Sequence, residues 1–159
     1  AGSSGTDVHK NIEDIIKLGI DKYNGYLPTS DYPLGQVKLF TDWAKEHEVK
    51  FLASEKRVYN DDPELFYAGA ADFIAEIKGG KYVGDIKTGN QIYPEAFYQM
   101  AAYRAALERM GEEEFDGSVV VNINKKGELK TEYSYYYQED FSAFKGALQI
   151  YRRQNQPTN

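Results

Sequence analysis

Apolar positions recur at helical spacing in four segments of the chain, and they alternate or run together in five others. Recurrence every three to four residues predicts helices, whereas alternation or a short apolar run predicts strands. The predicted helices cover residues 7–22, 34–47 and 94–110 and a last segment that Asp140 caps. The predicted strands cover residues 49–60, 65–77, 81–88, 117–124 and 128–138. This α-α-β-β-β-α-β-β-α order predicts an α/β fold, with a central mixed sheet flanked by helices.

The C-terminal part of the chain is rich in aromatic residues. Tyr133, Tyr135 and Tyr137 alternate, which predicts that they share one face of the last strand. Phe141, Phe144, Leu148 and Tyr151 follow at helical spacing, and they predict the inward face of the last helix.

Composition narrows the class of protein. The 159 residues are 42% hydrophobic and include 14 Tyr and 8 Phe, which favours one folded domain. Cysteine is absent, which excludes disulfides, thiolate nucleophiles and iron–sulfur clusters. No apolar run approaches ~20 residues and no signal peptide is evident, so we expect a cytoplasmic protein without a membrane partner. We read residues 1–4 as a cloning remnant, 5–155 as a single domain and 156–159 as a flexible tail.

Candidate chemistry lies around a predicted hairpin turn at residues 78–81. Asp85 and Lys87 occupy one face of the strand after the turn, roughly 7 Å apart along the chain. Asp72 lies beside them if the hairpin pairs in register. Two carboxylates and a lysine can hold Mg²⁺ or Mn²⁺ and activate a water, which points to metal-dependent phosphodiester hydrolysis. Each assignment has an alternative. A salt bridge rather than a metal could compensate for burying the charge of Asp72. Asp85 and Lys87 could form a surface ion pair on an edge strand.

The net charge of −6 does not favour a nucleic-acid-binding protein, because the usual footprint of such a protein is basic. A local basic rim can nevertheless coexist with a negative total charge. The candidates for that rim are Lys78, Lys81, Arg104, Lys125, Lys126, Lys130, Arg152 and Arg153.

The chain resembles the PD-(D/E)XK nuclease superfamily, and within it the RecB-like, phage-type exonuclease branch. The resemblance runs from residue 5 to about residue 124. It is carried, in order, by residues 5–9, Glu55, the Gly69-x-x-Asp72 motif, Asp85-Ile86-Lys87 and the Gln99-x3-Tyr103 motif. It implies a restriction-endonuclease-like core that uses one or two Mg²⁺ or Mn²⁺ ions. The chain departs from several RecB-like relatives because it lacks their iron–sulfur cysteines.

The resemblance also implies roles for single residues. Asp72, Asp85, His9 and the backbone carbonyl of Ile86 would bind the metal. Lys87 would orient the attacking water and stabilise charge on the phosphate. The acid expected to complete the site, directly or through a water molecule, is Glu55.

Three further residues would line the nucleic-acid groove and support the site: Gln99, Tyr103 and Arg104. The alternatives are a surface position for His9, pairing of Glu55 with its neighbours Lys56 and Arg57, and a core position for Tyr103.

The leading hypothesis is a metal-dependent DNA nuclease, an exonuclease that leaves 5′-phosphates on single- or double-stranded DNA. A recombination or phage protein could serve as its partner, and oligomers are compatible with the resemblance. One alternative is a non-catalytic nucleic-acid-binding or protein-binding module on the same fold. Another is a structure- or sequence-specific endonuclease, for which only the loop at 24–33 and the last hairpin offer recognition elements.

Overall fold

Four helices and a five-stranded sheet form within the residues that the computed structural model describes, which are 5–28, 35–112 and 114–157. The elements in chain order are α1 (Gly5–Lys22), α2 (Gln36–Glu46), β1 (Lys50–Asn60), β2 (Tyr67–Ile77), β3 (Gly80–Lys87), α3 (Glu95–Arg109), β4 (Gly117–Ile123), β5 (Leu129–Ser134) and α4 (Tyr137–Gln154). The predicted order of elements and the mixed sheet flanked by helices are confirmed.

The sheet keeps its strands in sequence order, β1-β2-β3-β4-β5. Neighbouring strands are antiparallel except β3 and β4, which are parallel because α3 crosses between them. β3 therefore occupies the centre of the sheet. The alternative in which Asp85 and Lys87 lie on an edge strand is wrong, and Asp85 is only 9% exposed.

The turn between β2 and β3 fixes the register of these two strands. Ile77 pairs with Gly80, and the two residues between them, Lys78 and Gly79, have φ values of 50° and 83°. Positive φ at both central residues is characteristic of the tight hairpin turn whose twist matches that of the strands. The predicted hairpin is thus confirmed.

Apolar side chains cover both faces of the sheet. On one face α1 and α2 bury Ile12, Ile16 and Phe40 against Phe51 and Phe73. On the other face α3 buries an apolar cluster of Met100, Ala106, Leu107, Ile74, Val83 and Val120. β4 supplies both clusters, since Val119, Val121 and Ile123 belong to the first and Val120 to the second. A central strand buried on both faces explains the continuous apolar run in β4.

The C-terminal segment differs from the prediction. β5 ends at Ser134, and α4 begins at Tyr137, so Tyr137 belongs to the helix and Asp140 does not cap it. The Asp140 carboxylate instead accepts a hydrogen bond from Ser134 Oγ at 2.6 Å. The inward position predicted for Tyr151 is also wrong, because this side chain is 63% exposed.

α4 covers α3 only loosely. No residue of α4, all of which lies in the described part of the chain, is fully buried. Tyr137 contacts α3, because its hydroxyl donates to Glu108 and the Arg104 guanidinium lies over its ring. Phe144 contacts β2 instead, with a ring centroid 5.0 Å from that of Tyr67.

Several sequence predictions fall outside the described residues. These are residues 1–4, the predicted helix start at Leu34, residues 29–33 of the 24–33 loop, and the last two residues of the tail. Among the helices that are described, none is both long and apolar enough to cross a membrane.

Candidate functional site

The candidate site lies where β2 and β3 separate. Their pairing ends at Phe73 and Gly84, so the backbone of Ile86 has no strand partner on the β2 side. Its N–H donates to Asp72 Oδ2 at 2.7 Å, and its carbonyl accepts a hydrogen bond from His9 Nε2 at 2.5 Å. Buried backbone groups need such partners. Two polar side chains and a carbonyl oxygen therefore meet in the gap between the strands.

Asp72 and Asp85 face each other across this gap, one step beyond the last pair of the β2–β3 register. Burial, followed by the negative charge of Asp85, raises the pKa of Asp72 to about 7. The Ile86 N–H and the charge of His9 act in the opposite direction. Ionising both carboxyls thus costs free energy unless a positive charge joins them.

The Oδ2 atom of Asp85 is buried and accepts no hydrogen bond from the described residues. Lys87 Nζ lies 3.2 Å from that atom and forms an ion pair with it, although the angle is not that of a hydrogen bond. Buried carboxylate oxygens normally accept hydrogen bonds or bind cations. The Oδ2 atom is therefore available for a further cationic partner.

α1 brings His9 to the strands from far away in the sequence. Val8, Ile12 and Ile16 are buried, and they hold this helix against the sheet. His9 Nε2 consequently lies 3.8 Å from Asp72 Oδ2 as well as beside the Ile86 carbonyl. The contact spans 77 residues of sequence, and the imidazole is 30% exposed.

Glu55 lies at the margin of the site. The pairs on either side of it, Ser54 with Phe73 and Lys56 with Ala71, put Glu55 opposite Asp72 in the β1–β2 ladder. Its side chain is 45% exposed and lies 3.6 Å from Lys17 Nζ. The predicted alternative partner Lys56 pairs with Glu112 instead, at 2.7 Å. The φ angle of Glu55 is 51°, a left-handed conformation that costs a non-glycine residue free energy.

α3 contributes Tyr103 and Gln99, which occupy different surroundings. Tyr103 packs directly over Gly69, where an added Cβ would lie 2.6 Å from the Tyr103 ring. Burial, with smaller contributions from Asp85 and Asp72, raises the pKa of Tyr103 to about 12. Tyr103 thus combines a position in the α3 core cluster with proximity to the acidic pair. Gln99 is exposed and lines a cavity of about 530 Å³ beside Lys87.

Arg104 lies apart from these groups. Its guanidinium bonds to Glu108 at 3.1 Å and stacks over the Tyr137 ring at 4.0 Å, so it joins α3 to α4. Arg152 is engaged elsewhere, since it donates to the backbone carbonyls of residues 64–66.

Two other candidates for the basic rim, Lys81 and Lys130, lie on different strands. Lys81 precedes Asp85 by four residues on β3, roughly 13 Å along the strand. Lys130 is nearer the site, because it pairs with Asn122 and Asn122 pairs with Lys87. These two lysines do not extend one continuous basic surface from the acidic pair.

Asn122 is a site residue that sequence reasoning missed. It is 2% exposed on β4, and its Nδ2 donates to the Gly89 carbonyl at 3.1 Å. This bond holds the turn that follows Lys87. The signal in the sequence was an amide within an apolar run, since a buried amide needs a specific partner.

The side chains of the candidate site supply only some of the ligands that a hard divalent cation needs. Within residues 5–28, 35–112 and 114–157, no three His, Asp or Glu side chains are arranged to hold a metal ion by themselves. His9, Asp72 and Asp85 would need the Ile86 carbonyl and water as additional ligands. Mg²⁺ commonly keeps several waters and takes few carboxylates, so such an incomplete protein shell is compatible with it.

Comparison with known proteins adds little. No protein-family model and no curated protein matches the chain. A solved structure described as "Crystal structure of SSO0001" is similar, with 14% identical residues and a TM-score of 0.49. The match covers 77% of this chain and 58% of that one, so the chain spans less than two thirds of the protein that it matches.

Proposed function

We propose that this protein is a metal-dependent deoxyribonuclease of the PD-(D/E)XK type, an exonuclease that leaves 5′-phosphate ends. The observation that carries the proposal is the convergence of His9, Asp72, Asp85, the Ile86 carbonyl and Lys87 at the β2–β3 gap. Structural ion pairs also occur in proteins, but they do not need two carboxylates side by side, of which Asp85 is buried and Asp72 is 21% exposed. Binding of a cation between the two carboxylates accounts for this arrangement.

The residues present fit a divalent cation. Asp85 Oδ2 is buried and accepts no hydrogen bond from the described residues, and the pKa of Asp72 is raised to about 7 beside it. A cation held by Asp72, Asp85, the Ile86 carbonyl and His9 would give the Asp85 oxygen a partner and would lower the pKa of Asp72. When bound, Mg²⁺ or Mn²⁺ lowers the pKa of a water molecule and neutralises charge on the phosphate.

The chain's own residues supply the remaining requirements. Lys87, held 3.2 Å from Asp85 and 43% exposed, can donate to the attacking water or to a phosphate oxygen. The water gives a proton to solvent and forms a bond to phosphorus, the bond from phosphorus to the 3′-oxygen breaks, and the 3′-oxygen takes up a proton from solvent. The phosphate consequently remains on the 5′ side. Lys87 stabilises the charge that builds up on the phosphoryl oxygens during this displacement.

Cleavage of linear and closed-circular DNA with Mg²⁺ or Mn²⁺ tests the proposal. We expect EDTA-sensitive degradation of linear DNA and protection of closed circles. The variant Asp85→Asn should be inactive, whereas Asp42→Asn, at an exposed carboxylate paired with Lys38, should cleave like the parent. No metal-dependent cleavage of either DNA would refute the enzyme proposal, and discrete fragments from circles would indicate an endonuclease.

A further inference from the structure

The cavity of about 530 Å³ adjoins the candidate site directly. The turn at 89–93, the start of α3 and one face of α4 line this open cavity, and Lys87 belongs to both the cavity and the site. Its volume falls within the ~300–1,000 Å³ typical of small-molecule sites. A group in this cavity would thus lie next to whatever Lys87 binds.

Aromatic and amide residues form half of the lining. Tyr93, Tyr98 and Phe144 line the cavity together with Gln91 and Gln99. Tyr93 is 59% exposed, so its ring is accessible at the surface. Rings stack on any nucleobase, and amides can hydrogen-bond to base edges. Glu95, also in the lining, disfavours a second phosphate there.

We infer that this cavity binds one unpaired nucleobase of the substrate, next to the phosphate that Lys87 contacts. The inference rests on the proposed function and specifies its substrate class as DNA with a single-stranded end. A base inside a duplex is stacked and paired, so it must be released before it can enter the cavity. The cavity therefore favours single strands over blunt duplexes by about 10-fold or more in kcat/KM.

The low basic charge of the surface agrees with this mode of binding. Arg104 and Arg152 are engaged in contacts elsewhere, Lys81 and Lys130 do not form one basic surface with the acidic pair, and the chain carries a net charge of −6. Duplex binding relies on many phosphate contacts, whereas single strands can be held by stacking and a few cations. The aromatic cavity supplies the stacking beside a single lysine.

Binding and cleavage tests separate this inference from the proposed chemistry. A single-stranded oligonucleotide with a terminal 2-aminopurine is titrated with the protein in EDTA, where stacking quenches the fluorescence. The parent and Tyr93→Phe should quench with similar Kd, whereas Tyr93→Ala should weaken binding about 10-fold. Tyr59→Ala removes an equally exposed tyrosine that does not line the cavity, and it should behave like the parent.

The outcomes are distinguishable. Quenching that depends on Tyr93 supports the cavity assignment even if no metal-dependent cleavage occurs, in which case only the nuclease proposal fails. Cleavage that is unaffected by Tyr93→Ala, or equal kcat/KM for blunt duplex and single strand, overturns the assignment and leaves the nuclease proposal standing. Absence of quenching by the parent protein overturns it as well.

Discussion

Replacing Asp72 with Asn tests the electrostatics of the acidic pair without any assumption about substrate. In the metal-free protein, the pKa of Asp72 is raised from 3.8 to about 7, mainly by burial and then by Asp85. At 1.36 kcal/mol per pH unit, this difference corresponds to about 4 kcal/mol of destabilisation once the carboxyl is ionised. Asn keeps an oxygen that can accept from the Ile86 N–H, and it carries no charge.

Proton linkage determines whether the free energy of unfolding rises or falls with pH. Because the folded-state pKa of Asp72 lies above the unfolded value, the native state binds more protons between pH 3.8 and about 7. Its favourable contribution is fully present below pH 3.8 and is lost as the pH rises through about 7. From pH 5 to pH 7 the parent should lose about 2 kcal/mol relative to Asp72→Asn, because each pH unit contributes at most 1.36 kcal/mol and the carboxyl is already half ionised near pH 7.

Urea unfolding in EDTA at pH 5, 6, 7 and 8 measures this divergence. We expect the free-energy difference between Asp72→Asn and the parent to widen with pH up to about 7 and then to level off. The matched variant Asp42→Asn should run parallel to the parent, because that carboxylate is exposed. Parallel curves for Asp72→Asn and the parent would show that Asp72 is not a buried partner of Asp85.

Three further variants test single residues of the site. Lys87→Ala should lower the cleavage rate ~10²–10³-fold with little change in Mn²⁺ affinity, because Lys87 acts on charge in the transition state; single-turnover kinetics and calorimetry would measure the two, and parent-like cleavage would contradict the role. His9→Ala should weaken Mn²⁺ binding by calorimetry and lower the metal-free melting temperature by about 2–4 °C, because the Ile86 carbonyl loses the hydrogen bond from the imidazole; unaltered affinity and activity would exclude His9 as a ligand. Glu55→Asn should stabilise the metal-free protein by about 0.5–1 kcal/mol in urea, because Asn tolerates the left-handed φ of 51°. A loss of stability there would show that the exposed pair with Lys17 outweighs the strain.

The sequence alone determined the order of elements and the position of the acidic pair. Alternation places Asp85 and Lys87 on one face of β3, and their separation of 3.2 Å agrees with it. The two-residue turn at Lys78 and Gly79 then fixes which residue of β2 faces Asp85, and Asp72 is that residue. These relations depend on backbone geometry over a few residues, which is why periodicity and turn chemistry suffice to predict them.

The C-terminal region shows where local patterns failed. Tyr133, Tyr135 and Tyr137 alternate, yet Tyr137 begins α4, and its hydroxyl donates to Glu108 on α3. Arg104 stacks on the same ring, so contact between α3 and α4 determines where the strand pattern stops. Propensity is a weak preference that such tertiary contacts override.

Only the tertiary structure decided how distant groups meet at the β2–β3 gap. The contact of His9 with the Ile86 carbonyl spans 77 residues, and the bond from Asn122 to Gly89 spans 33. The same holds for the aromatic cavity, because α3, α4 and the turn after Lys87 each contribute part of its wall. Such contacts depend on how whole helices pack on the sheet. No periodicity within one segment encodes them, because packing is set by the joint shape of surfaces that are far apart in the chain.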